Sequence, residues 1–321
     1  MLRIQFTPED LTRVRVCQAM DPMWELIGSV QLLQLNAAQR PVGYESWVRR
    51  WRVGRKQPAV RNAAGVLAAI APRSAYFPDF LTPDQPTGGF EDEVDTVLST
   101  PLPRLRSEIG QLDARRPWLS GMAKGDTTVL TRFGDVLRGY YRALVEPDRT
   151  AIETAIGTHR ADVMQTMMQG GVEAVLDTLF AGGRWRSPWL ESAYPVERTV
   201  ELKGRGLLLV PSFFCFRMPV MLADDSLDPV LVYPIEHAVG EAGSDGIAEL
   251  IGSTRAAVLS SIADGASTSE VAARVGISLA TASHHTTILR QAGLVTSIRR
   301  ANSVVHSPSS LGYALLGAGP G

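Results

Sequence analysis

The residues best suited to chemistry in this sequence crowd into positions 279–300. Thr281, Ser283, His284 and Thr287, with Leu279 beside them, recur at spacings that place them on one side of a helix. Arg290, Arg299 and Arg300 follow. Short hydroxyl and imidazole side chains carry donors and acceptors that match base edges, and guanidinium groups bind phosphate. Ala282, Thr286, Leu289 and Ala292 fall on the opposite side and predict an inward face. Five arginines (Arg255, Arg274, Arg290, Arg299, Arg300) against Asp264 and Glu270 give residues 255–306 a local charge of +3. His284 and His285 are adjacent, so their side chains diverge by about 100° on a helix, which argues against a shared metal ion. His284 is expected to face outward as a donor and His285 to be partly buried.

Positioning these groups requires a particular order of elements. Residues 247–251 form a short helical run broken at Gly252. Ser253 is expected to cap a helix over 255–263, closed by Asp264-Gly265. Ser267-Thr268-Ser269-Glu270 has the S-x-x-E form of a capping box and starts a helix over 268–275, ended by Gly276. Ser278 is expected to cap a third helix over 279–292, terminated by Gly293. Residues 294–300 and 303–307 alternate around Ala301-Asn302 and predict a β-hairpin, followed by a short helix over 309–316. Helix, helix, turn, longer helix and hairpin make the order of a winged helix-turn-helix over residues 246–316. In that arrangement the third helix enters the major groove and the hairpin reaches flanking backbone.

The stretch from residue 250 to 306 resembles the ArsR-type winged-helix transcriptional regulators. Ser253-Thr254-Arg255 with Val258-Leu259, Glu270-Val271-Ala272 with Gly276-Ile277-Ser278, the T-x-S-x-H pattern of Thr281, Ser283 and His285, and LRQAGLV at 289–295 carry the resemblance. It covers about the last fifth of the chain and implies a dimeric repressor reading an inverted repeat. There are departures. No cysteine lies in 267–273, so a thiolate metal sensor of the family's type is not expected. His284 stands where many members carry Arg, which removes a bidentate guanine contact, and Thr286 replaces a usual core leucine. The large N-terminal extension, with its DPMWEL motif at 21–26, looks like that of actinobacterial regulators.

The N-terminal 240 residues predict a mostly helical unit with short β strands, and the whole chain an α+β protein. Leu2, Ile4 and Phe6 share one face of a first strand, and Val14 and Val16 one face of a second. Asp21-Pro22 predicts an N-cap with Pro at the first helical position, and Met23, Leu26, Ile27, Val30 and Leu33 recur at helical spacing. Further helices are expected over 91–98, 102–113, 127–145, 148–169 and 171–180. Pro78, Pro83 and Pro86 with Gly88-Gly89 mark a loop. Strands are expected at 198–202, 207–210 and 229–233, with Gly204-Arg205-Gly206 as a hairpin turn, and residues 241–246 read as a linker. Arg40, Arg49, Arg50, Arg52, Arg55, Lys56 and Arg61 face only Glu45 over residues 40–61. RRWRVGRK at 49–56 is either a solvated helix face with Trp47 and Trp51 in the core, or a second footprint on DNA or an acidic ligand.

The 321 residues carry 32 Lys+Arg against 33 Asp+Glu, a net charge of −1, with 45% hydrophobic residues. That balance excludes wholesale disorder. A near-neutral total does not exclude nucleic acid, because the basic 255–306 segment leaves −4 for the remainder. Cys17 and Cys215 are too few for a disulfide framework and are expected as small buried apolar residues. Trp24, Trp185 and Trp189 are expected in core or pocket walls. No apolar run spans a membrane and the N-terminus lacks an apolar signal core, so the expectation is a cytoplasmic protein. No P-loop, G-x-S-x-G or H-E-x-x-H occurs, and neither catalysis, a cofactor nor a metal is expected. The expected partners are double-stranded DNA and a second copy of the chain, with a small-molecule effector open for the N-terminal unit. The other class weighed is a ligand-binding or enzymatic N-terminal domain whose winged helix serves protein interaction.

Overall fold

The computed structural model describes residues 1–36, 44–74, 76–83, 89–112, 116–235, 250–262, 265–300 and 303–316. The expectations at residues 241–249, Arg40, Pro86, Gly88, Asp264 and Ala301-Asn302 lie outside these. The chain divides into two compact units, Met1–His237 and Ala238–Gly321. The architecture is α+β, with the helix-turn-helix elements at the C-terminal end.

The first unit opens with β1 (Leu2–Gln5), α1 (Pro8–Thr12) and β2 (Val14–Val16). Then come α2 (Pro22–Leu33), α3 (Glu45–Gly54), α4 (Pro58–Ile70), α5 (Phe90–Leu98), α6 (Leu102–Ile109), α7 (Pro117–Lys124) and α8 (Thr127–Leu144). The long α9 (Arg149–Thr178) precedes β3 (Arg184–Arg186), β4 (Trp189–Ser192), β5 (Arg198–Glu201), β6 (Leu207–Ser212), β7 (Val220–Met221) and β8 (Val230–Pro234). The two helices expected over 148–169 and 171–180 meet within α9: Gly171 is non-helical (φ 69°, ψ −169°), so the element is two helices joined at a kink there. That conformation is essentially restricted to glycine.

Two four-stranded sheets form, ordered β3-β4-β1-β5 and β2-β6-β8-β7. β1 pairs with β5 in parallel and β2 pairs with β6 in parallel. The expected hairpin at Gly204-Arg205-Gly206 is therefore wrong. β5 and β6 belong to different sheets, and the turn carries the chain from one to the other beside α1, which makes the same passage from β1 to β2. Side chains of that neighbouring segment fasten the turn: Asp10 Oδ1 accepts from Gly206 N at 2.9 Å, and Arg13 donates to the Gly204 carbonyl at 2.7 Å.

α2 forms for the reason its sequence gives. Asp21 Oδ1 accepts from Trp24 N at 2.9 Å, and Pro22 occupies the first turn. Nearly the whole helix is buried, with Met23, Leu26, Ile27, Val30 and Leu32 in the core. Glu25 is buried too. Its carboxyl oxygens accept from Phe213 N (2.8 Å) and Phe214 N (2.9 Å), which pins the chain after β6 to α2. The DPMWEL motif is thus a structural clasp. Trp47 and Tyr44 are buried against Phe214, and Trp47 Nε1 donates to the Leu144 carbonyl at 2.8 Å. Cys17 and Cys215 are free and buried. Trp24 lies in the core, while Trp185 and Trp189 are half-buried.

The second unit comprises α10 (Ser253–Ser261), β9 (Ala266–Ser267), α11 (Thr268–Val275), α12 (Leu279–Gln291), β10 (Val295–Arg300), β11 (Ser303–Pro308) and α13 (Ser310–Leu315). Its own core holds Val258, Leu259, Ile262, Val271, Ala282 and Leu289. No helix among the described residues is long and apolar enough to cross a membrane.

Candidate nucleic-acid interface

Local bonds set each helix of the second unit in place. α10 begins two residues earlier than expected: Gly252 (φ 87°) is its N-cap in place of Ser253, and Ser253 is the first helical residue and makes no cap bond. At α11, Ser267 Oγ accepts from Glu270 N at 3.3 Å, and Glu270 Oε2 accepts from Ser267 N at 2.7 Å. The reciprocal box satisfies donors that the first helical turn leaves open. The same bonds hold the Glu270 carboxyl below the usual carboxylate range. Gly276 closes α11 in the left-handed region (φ 72°), where a side chain is disfavoured. Just after it, Ser278 Oγ accepts from Thr281 N at 3.1 Å and starts α12.

α12 turns Ala282, Thr286 and Leu289 inward. Thr286 fits where a leucine was expected because its hydroxyl donates to the Ala282 carbonyl at 2.9 Å within the helix. Ala292, expected on the inward face, is exposed: α12 ends at Gln291, and Ala292 is its C-cap. On the outer side Leu279, Ser283, His284 and Arg290 are exposed, and Thr287 is half-buried. Thr281 is half-buried as well, and its hydroxyl lies 2.7 Å from that of Ser278, so it serves the cap. Ala280 and Gln291 join the exposed side. The helical wheel alone would have found both, since they lie within about a third of a turn of Ser283 and Thr287.

His285 is half-buried, as its spacing implied, and its Nδ1 is buried without a hydrogen-bond partner. Burial, with His284 and Arg255 nearby, pushes its pKa down. The ring centroids of His284 and His285 are 5.7 Å apart. Among the described residues no group of three His, Cys, Asp or Glu is placed to hold a metal ion.

The wing is a three-stranded sheet, with β10 and β11 antiparallel and β9 added on the far side of β11. Sequence pattern foresaw the hairpin but not β9, which is only two residues long. Arg299 is exposed on β10 opposite Val304, and Ile298 is exposed beside it. The backbone of Arg300 pairs with Ser303; its side chain lies outside the described ones. A group that sequence reasoning missed is His306, buried at 5% exposure. Its Nδ1 lies 2.8 Å from Ser297 Oγ and its Nε2 2.9 Å from Thr268 Oγ1. The ring ties the wing to the start of α11, and burial together with Arg290 pushes its pKa down.

A helix lying across a supporting pair, its outer side short and polar, beside a basic hairpin, has the shape and chemistry to meet a duplex groove. Residues 251–298 match the family model of a helix-turn-helix domain. This end of the chain is therefore a helix-turn-helix domain, which points to DNA as its partner and transcription regulation as its task. No curated protein and no solved structure matches the chain.

In the first unit, a cavity of about 770 Å³ opens between β2 with the residues that follow it and the middle of α9. Val16, Met20, Val163, Met164 and Met168 supply apolar walls, and Cys17, the residue after β2, joins the lining. Burial pushes the Cys17 thiol up.

Proposed function

We propose that this chain is a sequence-specific DNA-binding regulator of transcription that acts as a homodimeric repressor on an inverted repeat. The observation that carries the reading is α12 itself: a capped helix presents Leu279, Ser283, His284 and Arg290 to solvent within a helix-turn-helix domain. In this reading Ser283, His284, Leu279 and Thr287 meet base edges, while Arg290, Arg299 and Arg300 contact phosphate. Thr281 orders the first turn of α12 through Ser278. The resemblance of residues 250–306 to ArsR-type regulators supports repression and dimerisation, since two half-sites give affinity that one small reading head lacks. The activity is binding and uses no catalytic group. The cavity between β2 and α9 supports an effector role for the first unit, because its volume and apolar lining suit a small molecule.

Selection of duplexes from a random pool by the full chain tests the reading. Enrichment of an inverted repeat, bound with an affinity that falls steeply as salt rises, is the expected result. Arg299→Ala with Arg300→Ala is expected to weaken binding to every sequence and flatten the salt dependence. No duplex binding at low salt would overturn the proposal.

A further inference from the structure

The densest positive charge of the chain is not in the helix-turn-helix domain. From residue 46 to 78 the sequence holds seven basic residues and no acid. Over the longer 255–306 segment the net charge is only +3. The structure gathers most of that charge on α3, on the start of α4 and on the tight turn between them. Arg49, Arg52, Arg55, Lys56 and Arg61 are all exposed. On α3, Arg49 and Arg52, followed by Lys56 one turn on, lie on the side opposite Trp47 and Trp51. Trp47 is buried, so the orientation of the basic side is fixed by the core rather than left to solvent. Arg61 Nη1 donates to the Arg55 carbonyl at 3.3 Å, which brings the α4 cation to the end of α3.

Elsewhere in the first unit several arginines pair with acids, while others such as Arg15, Arg132 and Arg184 are exposed without an ion pair among the described residues but are not gathered on one helix face. Arg13 pairs with Glu9, Arg138 and Arg142 with Glu91, and Arg149 with Glu153. Arg50, on the flank of α3, pairs with Asp148. The five cations of the α3–α4 face have no ion-pair partner among the described residues. Like charges held together repel one another; the phosphates of a polyanion offset that repulsion, and the release of the polyanion's condensed counterions adds to the affinity.

We propose that the α3–α4 face is a second phosphate-binding surface that contacts the backbone of duplex DNA. The inference rests on the DNA-binding reading of the second unit and extends it: α12 reads bases, while α3 and α4 add affinity that is blind to sequence. Arg and Lys side chains on an exposed helix face bind phosphate in this way, and the exposed Val53 among them adds no base-reading polarity.

The test uses the full chain and two duplexes, one holding the selected repeat and one scrambled. In the triple variant Arg49→Gln, Arg52→Gln and Lys56→Gln, affinity for both duplexes is expected to fall together. The slope of log affinity against log salt is expected to shrink by about 0.9 for each phosphate that is no longer neutralised. The ratio between the two duplexes is expected to stay constant. The matched variant Arg142→Gln with Arg149→Gln, which removes ion-paired cations, is expected to leave the slope unchanged. Because the three altered side chains are exposed, thermal unfolding of the triple variant is expected to match the parent. An unchanged slope and affinity in the triple variant would overturn this inference alone. A triple variant that loses only its retention on heparin would also overturn it, assigning the face to another polyanion. Absence of duplex binding by the parent chain would overturn both this inference and the reading beneath it.

Discussion

The faces of α12 and α3 meet solvent in opposite ways. α12 shows hydroxyls, an imidazole and a leucine, with Arg290 only at its far end. α3 shows guanidinium groups over a buried tryptophan, with no short polar group exposed there among the described side chains. Base edges are told apart by donors and acceptors at fixed positions, whereas phosphate is met by charge alone. A chain that separates the two chemistries can keep a near-neutral total while still binding a polyanion. On the proposed reading the two failures separate as well: changes on α12 are expected to alter which sequence is chosen, and changes on α3 how strongly any sequence is held.

The comparison can be broken first at the level of the units that carry the two helices. Trp47→Ala removes a fully buried indole and its bond to Leu144, and is expected to cost the first unit about 3–5 kcal/mol. Denaturant unfolding followed by fluorescence and by circular dichroism should show one transition shifted and the other in place. Equal shifts of both would show that the units do not unfold independently.

pH should move the two units in opposite directions. Burial pushes Glu25 up to about 8 from an ordinary 4.5 and Asp21 up to about 6 from 3.8. Between 4.5 and 8 the folded first unit keeps a proton that the unfolded chain has released, so its stability falls as pH rises through that range. His306 is lowered below 6.5, so the unfolded chain takes up the proton first. The second unit therefore loses stability as pH falls below about 6.5. Melting scans across about pH 5 to 8 check both signs. Glu25→Gln should flatten the first dependence, and His306→Gln the second.

Smaller effects sharpen the division within the second unit. Ser283→Ala is expected to change base preference by about 1–3 kcal/mol at the contacted pair, read as altered enrichment from a duplex pool. Thr281→Ala should change preference less and loosen the first turn of α12, since its hydroxyl is engaged with Ser278. Ser267→Ala removes one side of a capping box and is expected to lower the stability of the second unit by about 1 kcal/mol. Its duplex preference should stay as it is.

The second unit was legible from the sequence because its organisation is written in near neighbours. Ser267 and Glu270, Ser278 and Thr281, and Gly276 after its helix all act within three residues or so. The order of elements followed from such signals, and so did the exposure of Leu279, Ser283, His284 and Arg290 on α12. The misreadings there, Ser253 as a cap and Ala292 as an inward residue, are shifts at helix ends, where one residue decides the geometry. His306 escaped notice because its partners, Ser297 and Thr268, lie on another strand and another helix.

In the first unit the sequence determined where most helices and strands lie, because helical spacing and turn residues are local properties. It left undecided whether RRWRVGRK was a solvated face or a footprint, since the pattern does not say which acids stand near. Only the tertiary structure decided that Trp47 turns inward and that the five cations beside it lack acidic partners among the described residues. It alone placed β5 and β6 in different sheets, and brought Glu25 to Phe213 across 188 residues of chain. Parallel pairing and buried carboxylates join segments remote in sequence, and a local pattern carries no record of the partner that long-range packing supplies.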